Sequence, residues 1–273
     1  CGRIPTPARS RRCATARGRG ATSSVWTPPR YSSPSVARCA VAKRLVEVVL
    51  AALAAVVTAP LVALAAVGIR LSSAGPVLYR AERVGRDRRP FIMFKLRTMH
   101  LRRRSDSSRI TGAHDPRVFP FGAWLRAVKL DELPQLWNVL RGEMALVGPR
   151  PEDPAIVTRL YTALGLETLA VRPGLASPGS IYSSTHGAAL LVGTDPEAAY
   201  AAHLLPLKLA LDVVYVRRAS LWYDARIVGR TLWVIVTTLV GRRRFPDPPE
   251  LVEARRLLAE SGAASAQRPA TEL

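Results

Sequence analysis

The sequence predicts a small α/β to mainly α domain that lies on the cytosolic side of a membrane interface. We expect one amino-terminal membrane helix, re-entrant or spanning, together with amphipathic interfacial helices. Three observations predict this fold class: an uncharged run at 48–69, strand-like runs within 76–99, and apolar residues with helical spacing over 133–140. The uncharged run has 22 residues, enough to cross a hydrocarbon layer of about 30 Å.

Positive charge is concentrated in the first 110 of the 273 residues. Residues 1–40 contain eight arginines and no acidic residue, which gives +8. Residues 41–110 contain 14 basic and four acidic groups, which gives +10, and the net charge of the whole chain is +20. Residues 1–40 lack periodicity and predict a disordered basic tail. This field attracts the phosphates of nucleic acid, anionic lipid or a nucleotide sugar, and charge alone does not choose among them. All three cysteines lie in this tail, which excludes a disulfide framework or cysteine-based zinc site elsewhere.

The uncharged run predicts a membrane-inserted, broken helix over residues 41–72. Pro60 stands near its centre, where it removes a backbone donor and disfavours helix at Ala59. Basic residues flank both ends, whereas the positive-inside rule expects one flank to be poorer in Lys and Arg. A kinked spanning helix and a re-entrant hairpin broken at Thr58 and Pro60 are both open. The Thr58 hydroxyl is a candidate partner for backbone groups freed at the break.

Residues 76–99 predict a β-hairpin that carries two cations on one face. The strand-like runs flank a turn that contains Gly85 and Pro90. Lys95 and Arg97 are two residues apart, so on a strand they project from the same face. Such a pair suits a phosphate site, and it also suits a solvated basic edge that discourages aggregation.

The most informative stretch is residues 129–140, where the adjacent carboxylates Asp131 and Glu132 precede a helical apolar pattern. Asp131 stands at an N-cap position, and Gly142 follows the last apolar residue as a stop signal. In one interpretation Asp131 caps the helix and Glu132 complements its dipole. In the other, an ionised Asp131 at the helix amino terminus attacks an activated phosphorus and forms an acyl phosphate.

The second interpretation requires cations around the two carboxylates. An anion that attacks a diphosphate is repelled, so a divalent cation and basic side chains must offset the charge. Magnesium prefers one or two carboxylates plus substrate phosphates, so Asp131 and Glu132 are its candidate ligands. The candidate phosphate-binding residues are Lys95, Arg97, Arg126 and Arg150.

Three segments resemble the bacterial sugar transferase family, the monotopic polyprenyl-phosphate phosphoglycosyl transferases. Residues 121–152 contain Leu-Asp-Glu-Leu-Pro-Gln followed by Gly-Pro-Arg-Pro at the spacing of that family. Residues 76–99 resemble its Glu-Arg-Val-Gly and Arg-Thr-Met block, and residues 172–230 are a weaker match. The resemblance covers about residues 42–240. The chain departs from the family at Lys129, where a serine is common.

The resemblance implies transfer of a sugar-1-phosphate from a nucleotide diphosphate sugar, such as a UDP-sugar, to undecaprenyl or another polyprenyl phosphate. This reaction at the cytoplasmic face of the bacterial cell membrane begins exopolysaccharide or other surface glycan synthesis. Asp131 would be the nucleophile that forms an aspartyl-phosphosugar, and Glu132 would assist with Mg²⁺. The resemblance also favours the re-entrant helix and leaves Arg172, Lys208 and Asp212 as possible nucleotide-sugar contacts. The last two are four residues apart and on a helix could simply pair.

The remaining segments predict a catalytic domain over 73–244, an interfacial amphipathic helix over 227–240 and a mobile tail over 245–273. The expected partners are a nucleotide sugar, a polyprenyl phosphate and the lipid bilayer, with no nucleic acid; the oligomeric state is open. One alternative is a membrane-anchored basic adaptor that binds nucleic acid or anionic lipid without catalysis. It explains the charge but not the spacing of the carboxylates and the Gly-Pro-Arg-Pro segment. Another is a transferase relative without activity.

Overall fold

The computed structural model describes residues 34–100, 115–190 and 196–266. The predicted disordered tail over 1–40 lies outside this part of the chain except for its last seven residues, which are helical. The helices are α1 (Pro34–Ser72), α2 (Pro120–Ala127), α3 (Gln135–Arg141), α4 (Pro154–Leu160), α5 (Ala163–Leu166), α6 (Pro178–Leu190), α7 (Pro196–Ala199), α8 (Leu205–Arg218), α9 (Leu221–Leu239) and α10 (Leu251–Ala266). The strands are β1 (Leu78–Val84), β2 (Pro90–Leu96), β3 (Ala145–Val147) and β4 (Gly174–Ala176).

Helix α1 packs one face along the domain over most of its length. Its buried positions Glu47, Ala51, Ala65 and Ile69 recur at helical spacing. Ala51 packs near the carboxyl half of α3, and Ile69 packs against the end of β2 and against α2. The other faces of α1 are exposed and apolar, with Val41, Leu45, Val49, Leu53, Val56, Val57, Leu61, Leu64, Val67 and Leu71 at the surface.

Two helices within the described ranges are long and apolar enough to cross a membrane. The first is Val41–Ser72, whose most apolar part is mostly exposed at the surface of the domain. The second is Glu197–Arg218, of which 67% is buried, as expected for the core helix of a folded domain.

Helix α1 continues through the predicted break at Thr58 and Pro60, and its path through a membrane stays a prediction. The Thr58 hydroxyl donates to the Ala54 carbonyl at 2.7 Å, one turn earlier, as serine and threonine commonly do in helices. Packing of Ala51 on one side and Ala65 on the other holds both halves on the same domain. This tertiary packing offsets the hydrogen bond that Pro60 removes.

The predicted hairpin is present. Strands β1 and β2 pair antiparallel from Leu78 opposite Leu96 to Val84 opposite Pro90. A second, parallel pair joins β3 to β4. At this pair, two backbones approach so closely that a Cβ on Gly174 would lie 2.1 Å from the Gly148 nitrogen.

Helix α8 is the buried centre of the carboxyl-terminal half, and α10 covers one side of it. The predicted mobile tail over 245–273 is therefore corrected for α10, whose Leu251 and Ala254 are 3% and 0% exposed. Leu251, Ala254 and Leu258 follow helical spacing, a short signal within a segment whose Pro and Ala content suggested mobility. Helix α9 is amphipathic as predicted, with Ile227 and Val234 buried and an opposite face that exposes Trp222, Leu232, Trp233, Val236 and Leu239.

We expect Gly174→Ala to lower the free energy of unfolding by about 3 kcal/mol, because its methyl group would push the Gly148 backbone out of place. Gly229→Ala is the matched control. It lies in α9 with open space around it and should stabilise the protein by about 0.5–1 kcal/mol. Chemical unfolding in detergent, followed by circular dichroism, measures both. Equal stabilities of the two variants would contradict the close approach of β3 and β4.

Candidate active site

Asp131 and Glu132 lie in a single 3₁₀ turn, Leu130–Glu132, that precedes α3. Helix α3 begins at Gln135 after Pro134, so the predicted N-cap position of Asp131 is corrected. The residue before the turn, Lys129, has a φ of +60°, which is uncommon outside glycine and found at functional sites. Asp131, two residues after Lys129, is buried in the domain and only 5% exposed.

Glu132 pairs with two cations that come from separate segments. Its Oε1 accepts from Lys95 Nζ at 3.3 Å and from Arg150 Nη2 at 2.5 Å. Burial alone would raise the pKa of Glu132, but Arg150 and Lys95 outweigh it and hold that pKa well below the usual range. Glu132 is therefore a fixed anion that joins strand β2 to the Gly-Pro-Arg-Pro segment.

Asp131 has the opposite electrostatic character. Burial, and then the neighbouring charge of Glu132, raise the pKa of Asp131, while Lys95, Lys129 and Arg126 oppose them. Its Oδ1 is buried and has no hydrogen-bond partner among the described residues. A desolvated carboxylate with a free oxygen is chemically suited to nucleophilic attack, provided that nearby cations keep it ionised.

The donor set around Asp131 fits a magnesium ion that relies on substrate for most of its ligands. Within the described ranges no group of three or more His, Cys, Asp or Glu residues could hold a metal. The adjacent carboxylates of Asp131 and Glu132 match a Mg²⁺ that takes one or two carboxylates plus phosphates and water. The described residues of the site supply too few ligands to hold a metal ion without substrate.

Helix α8 holds the segment that carries Arg150. The Tyr215 hydroxyl shares its one proton between Asp224 Oδ1 at 2.7 Å and the Val147 carbonyl at 3.1 Å. Lys208 pairs with Glu152. Tyr200 also donates to Glu152, at 2.5 Å. Lys208, Asp212 and Tyr215 are at i, i+4 and i+7, so one buried face of α8 fixes this segment at both ends.

In the structure, protein groups hold Lys208 and Asp212, so contact of either residue with the nucleotide sugar stays a prediction. They are 5% and 1% exposed, and Asp212 Oδ1 accepts from the Gly179 nitrogen at 2.9 Å. Burial raises the pKa of Asp212 to about 6, against the charge of Lys208 and the backbone N–H groups of Gly179 and Arg150. Both side chains therefore organise the protein around Arg150, and Lys208 pairs with Glu152 rather than with Asp212.

The predicted phosphate-binding residues separate into two groups. Lys95, Arg126 and Arg150 act on the two carboxylates. Arg97 does not, because its guanidinium donates to the Ser73 hydroxyl and to the carbonyls of Ser73 and Pro76. Arg97 is 4% exposed and closes the turn after α1, and its phosphate-binding role stays a prediction.

Arg172 also lies apart from the carboxylate pair. Its Nε donates to the Gly142 carbonyl at 3.1 Å. It lines a cleft of about 890 Å³ beside the hairpin turn, and neither Asp131 nor Arg150 contributes to that cleft. Four further arginines line the same cleft: Arg80, Arg86, Arg89 and Arg141.

Two buried polar residues of α3 were missed by sequence reasoning. Gln135 Oε1 accepts from Arg150 at 3.3 Å. Asn138 accepts from the Phe94 nitrogen and donates to the Ile92 carbonyl, so it fixes α3 against β2. The apolar pattern over 133–140 places both residues on the opposite face of the helix. That pattern also includes Trp137, which is 58% exposed, so periodicity gave no signal for them.

The amino-terminal end of α1 is joined to the site by ion pairs and hydrogen bonds. Lys43 contacts Asp224 at 2.9 Å and the Tyr215 hydroxyl at 3.0 Å. Arg44 donates to the carbonyls of Val139 and Leu140 at the end of α3. Helix α1 thus contacts both α3 and α8, the helices that carry Gln135 and Lys208.

Comparison with known proteins places these features in context. A family described as bacterial sugar transferase matches residues 38–238. A UDP-glucose:undecaprenyl-phosphate glucose-1-phosphate transferase of Caulobacter vibrioides is 41% identical over 199 residues, 72% of this chain and 70% of the relative. An undecaprenyl-phosphate glucose phosphotransferase of Komagataeibacter xylinus is 38% identical over 70% of this chain, but over only 35% of its own length. The exopolysaccharide production protein ExoY of Rhizobium meliloti is 34% identical over 70% of this chain and 84% of its own length.

We expect Lys208→Met to lower the free energy of unfolding by about 3–5 kcal/mol, because it leaves the Glu152 carboxylate buried without its cation. Combining it with Glu152→Gln should recover part of the loss. Urea unfolding without substrate measures this, with Arg256→Met in an exposed pair as the control, for which about 0.5 kcal/mol or less is expected. Unchanged stability together with weaker donor binding would instead support a substrate contact for Lys208.

Proposed function

Because the chain belongs to the bacterial sugar transferase family, we propose that it transfers a sugar-1-phosphate from a UDP-sugar to a polyprenyl phosphate. One observation carries the proposal. A buried carboxylate with a free oxygen, Asp131, stands next to an anion, Glu132, that is held by two cations. UDP-glucose is the first donor to test, since relatives at 41% and 35% identity are named for it.

The proposed reaction has two displacements at the same phosphorus. Asp131 Oδ1 attacks the phosphorus that bears the sugar, the bond to the bridging oxygen breaks, and the nucleoside monophosphate leaves with that oxygen. An oxygen of the polyprenyl phosphate then attacks the same phosphorus and displaces the Asp131 carboxylate. The products are polyprenyl diphosphate-sugar and the regenerated enzyme, so the sugar keeps its own bond to oxygen throughout.

The two carboxylates have different roles in this proposal: Glu132 holds cations and Asp131 attacks phosphorus. Glu132 stays ionised and fixes Lys95 and Arg150, whose positive charges would attract an incoming diphosphate. Arg126 adds positive charge near Asp131. Magnesium, when bound, would offset the negative charge of the diphosphate. Asp131 can then approach phosphorus without the repulsion that two anions otherwise meet.

The membrane arrangement that we propose keeps both ends of α1 on the cytoplasmic side. Its opposite ends pack on one polar domain, through Lys43 and Arg44 at one end and Ile69 at the other. Apolar residues exposed on α1 and α9 supply the surface that lipid would cover. A water-soluble donor and a membrane-bound acceptor can meet at such an interface, where a surface glycan such as an exopolysaccharide would begin.

We expect Mg²⁺-dependent release of UMP from UDP-glucose in the presence of undecaprenyl phosphate. Asp131→Asn should reduce the rate at least about 10³-fold, because an amide cannot form the phosphoryl intermediate. Asp247→Asn, an exposed acid, is the matched control and should keep full activity. Luminescent detection of UMP across a panel of UDP-sugars, with and without EDTA, measures the rates.

Full activity of Asp131→Asn would exclude this residue as the nucleophile. An absence of UMP release from every donor, combined with salt-sensitive binding of nucleic acid, would favour the basic adaptor.

Cysteine labelling tests the topology. With Cys1, Cys13 and Cys39 replaced by serine, we expect Val41→Cys and Ser72→Cys to react with an impermeant maleimide from the same side of sealed vesicles. Val252→Cys on exposed α10 reports the side of the domain. Labelling of positions 41 and 72 from opposite sides would establish a spanning helix.

A further inference from the structure

Gln135 has a buried amide nitrogen that donates to nothing. The residue is 0% exposed, and its Nε2 has no hydrogen-bond partner within the described parts of the chain. Buried side-chain donors are normally paired, and a protein group left unpaired is costly. The other unpaired buried atoms in the described ranges are all carboxylate oxygens, from Glu47, Asp131, Asp212 and Glu250.

The orientation of this amide follows from its neighbour. Arg150 Nη1 lies 3.3 Å from Gln135 Oε1. A guanidinium can only donate, so the atom that faces it must be the amide oxygen, and the NH₂ group must point away from Arg150. Turning the amide around would place two donors against each other and leave its oxygen unpaired.

Gln135 is linked to the carboxylate site through Arg150. Arg150, which holds the amide oxygen, also pairs with Glu132 at 2.5 Å. Asp131 is four residues before Gln135, and its Oδ1 is likewise buried and unpaired. An unpaired donor and an unpaired nucleophilic oxygen therefore lie in one cluster of charged residues. A ligand that brings an anionic acceptor to Asp131 would supply the missing partner.

We propose that Gln135 Nε2 donates a hydrogen bond to a non-bridging oxygen of the phosphoryl group that Asp131 attacks. This inference rests on the proposed function and adds a catalytic residue to it. Negative charge on these oxygens persists through the displacement, and a donor fixed in place beforehand stabilises it without reorganisation. No proton is transferred, and Gln135 is unchanged after each turnover.

A purely structural role predicts something different. If Gln135 served only to hold Arg150, its oxygen alone would matter. Gln135→Glu keeps an acceptor for Arg150, with nearly the same shape, and replaces the donor by a second acceptor. The substitution thus separates the two roles, since it preserves or strengthens the Arg150 contact while it turns an anionic oxygen towards the phosphoryl group.

We expect Gln135→Glu to lower kcat for UMP release about 100-fold while its melting temperature stays within a few degrees of wild type. Glu260→Gln, the reverse change at an exposed pair, should leave kcat unchanged. Gln135→Met, which adds no buried charge, should also lower kcat and serves as the second variant if Gln135→Glu does not fold.

The outcomes are distinct for the two proposals. Wild-type UMP release with kcat retained in a folded Gln135→Glu overturns the role of Gln135 and leaves the proposed function standing. Retained kcat in Gln135→Met overturns it in the same way. Absence of UMP release from wild type overturns the proposed function, on which the role of Gln135 depends.

Discussion

The pairing of Glu132 with Lys95 and Arg150 is the constraint from which the rest of the site follows. Three segments far apart in sequence, β2, the 3₁₀ turn and the Gly-Pro-Arg-Pro segment, meet at one carboxylate oxygen. A charge removed from water must be paired, so none of these segments can move without leaving an ion unsatisfied. Asp131 owes its position to this pairing, because it is covalently adjacent to the anion that the cations hold.

The Glu132 pairing in turn requires a fixed Arg150, and α8 provides it. Tyr215 binds the Val147 carbonyl and Lys208 binds Glu152, so the segment between them has little freedom. The close approach of Gly148 and Gly174 brings β4 against the same segment. The position of the carboxylate pair thus depends on buried polar contacts several residues away, consistent with the need for preorganised surroundings at a functional site.

Local patterns predicted the hairpin, the amphipathic α9 and the carboxylate pair, because each depends on residues close in sequence. They did not separate Lys95 from Arg97, since the partners of Arg97 are in the turn at 73–76. The pairing of Lys208 with Glu152 could not be predicted from local patterns either, because the two residues are 56 positions apart and meet only through folding. Periodicity could not settle Pro60 either, where packing on the domain decides the outcome.

Helix α1 has a consequence for any attempt to handle this protein without lipid. Lys43 donates to the Tyr215 hydroxyl, which also contacts the Val147 carbonyl. Arg44 donates to the Val139 carbonyl near the end of α3, the helix that begins at Gln135. Removing α1 to obtain a more soluble protein would remove both sets of contacts from α3 and α8. Solubility would therefore have to be engineered on the exposed apolar face of α1 while its buried face is preserved.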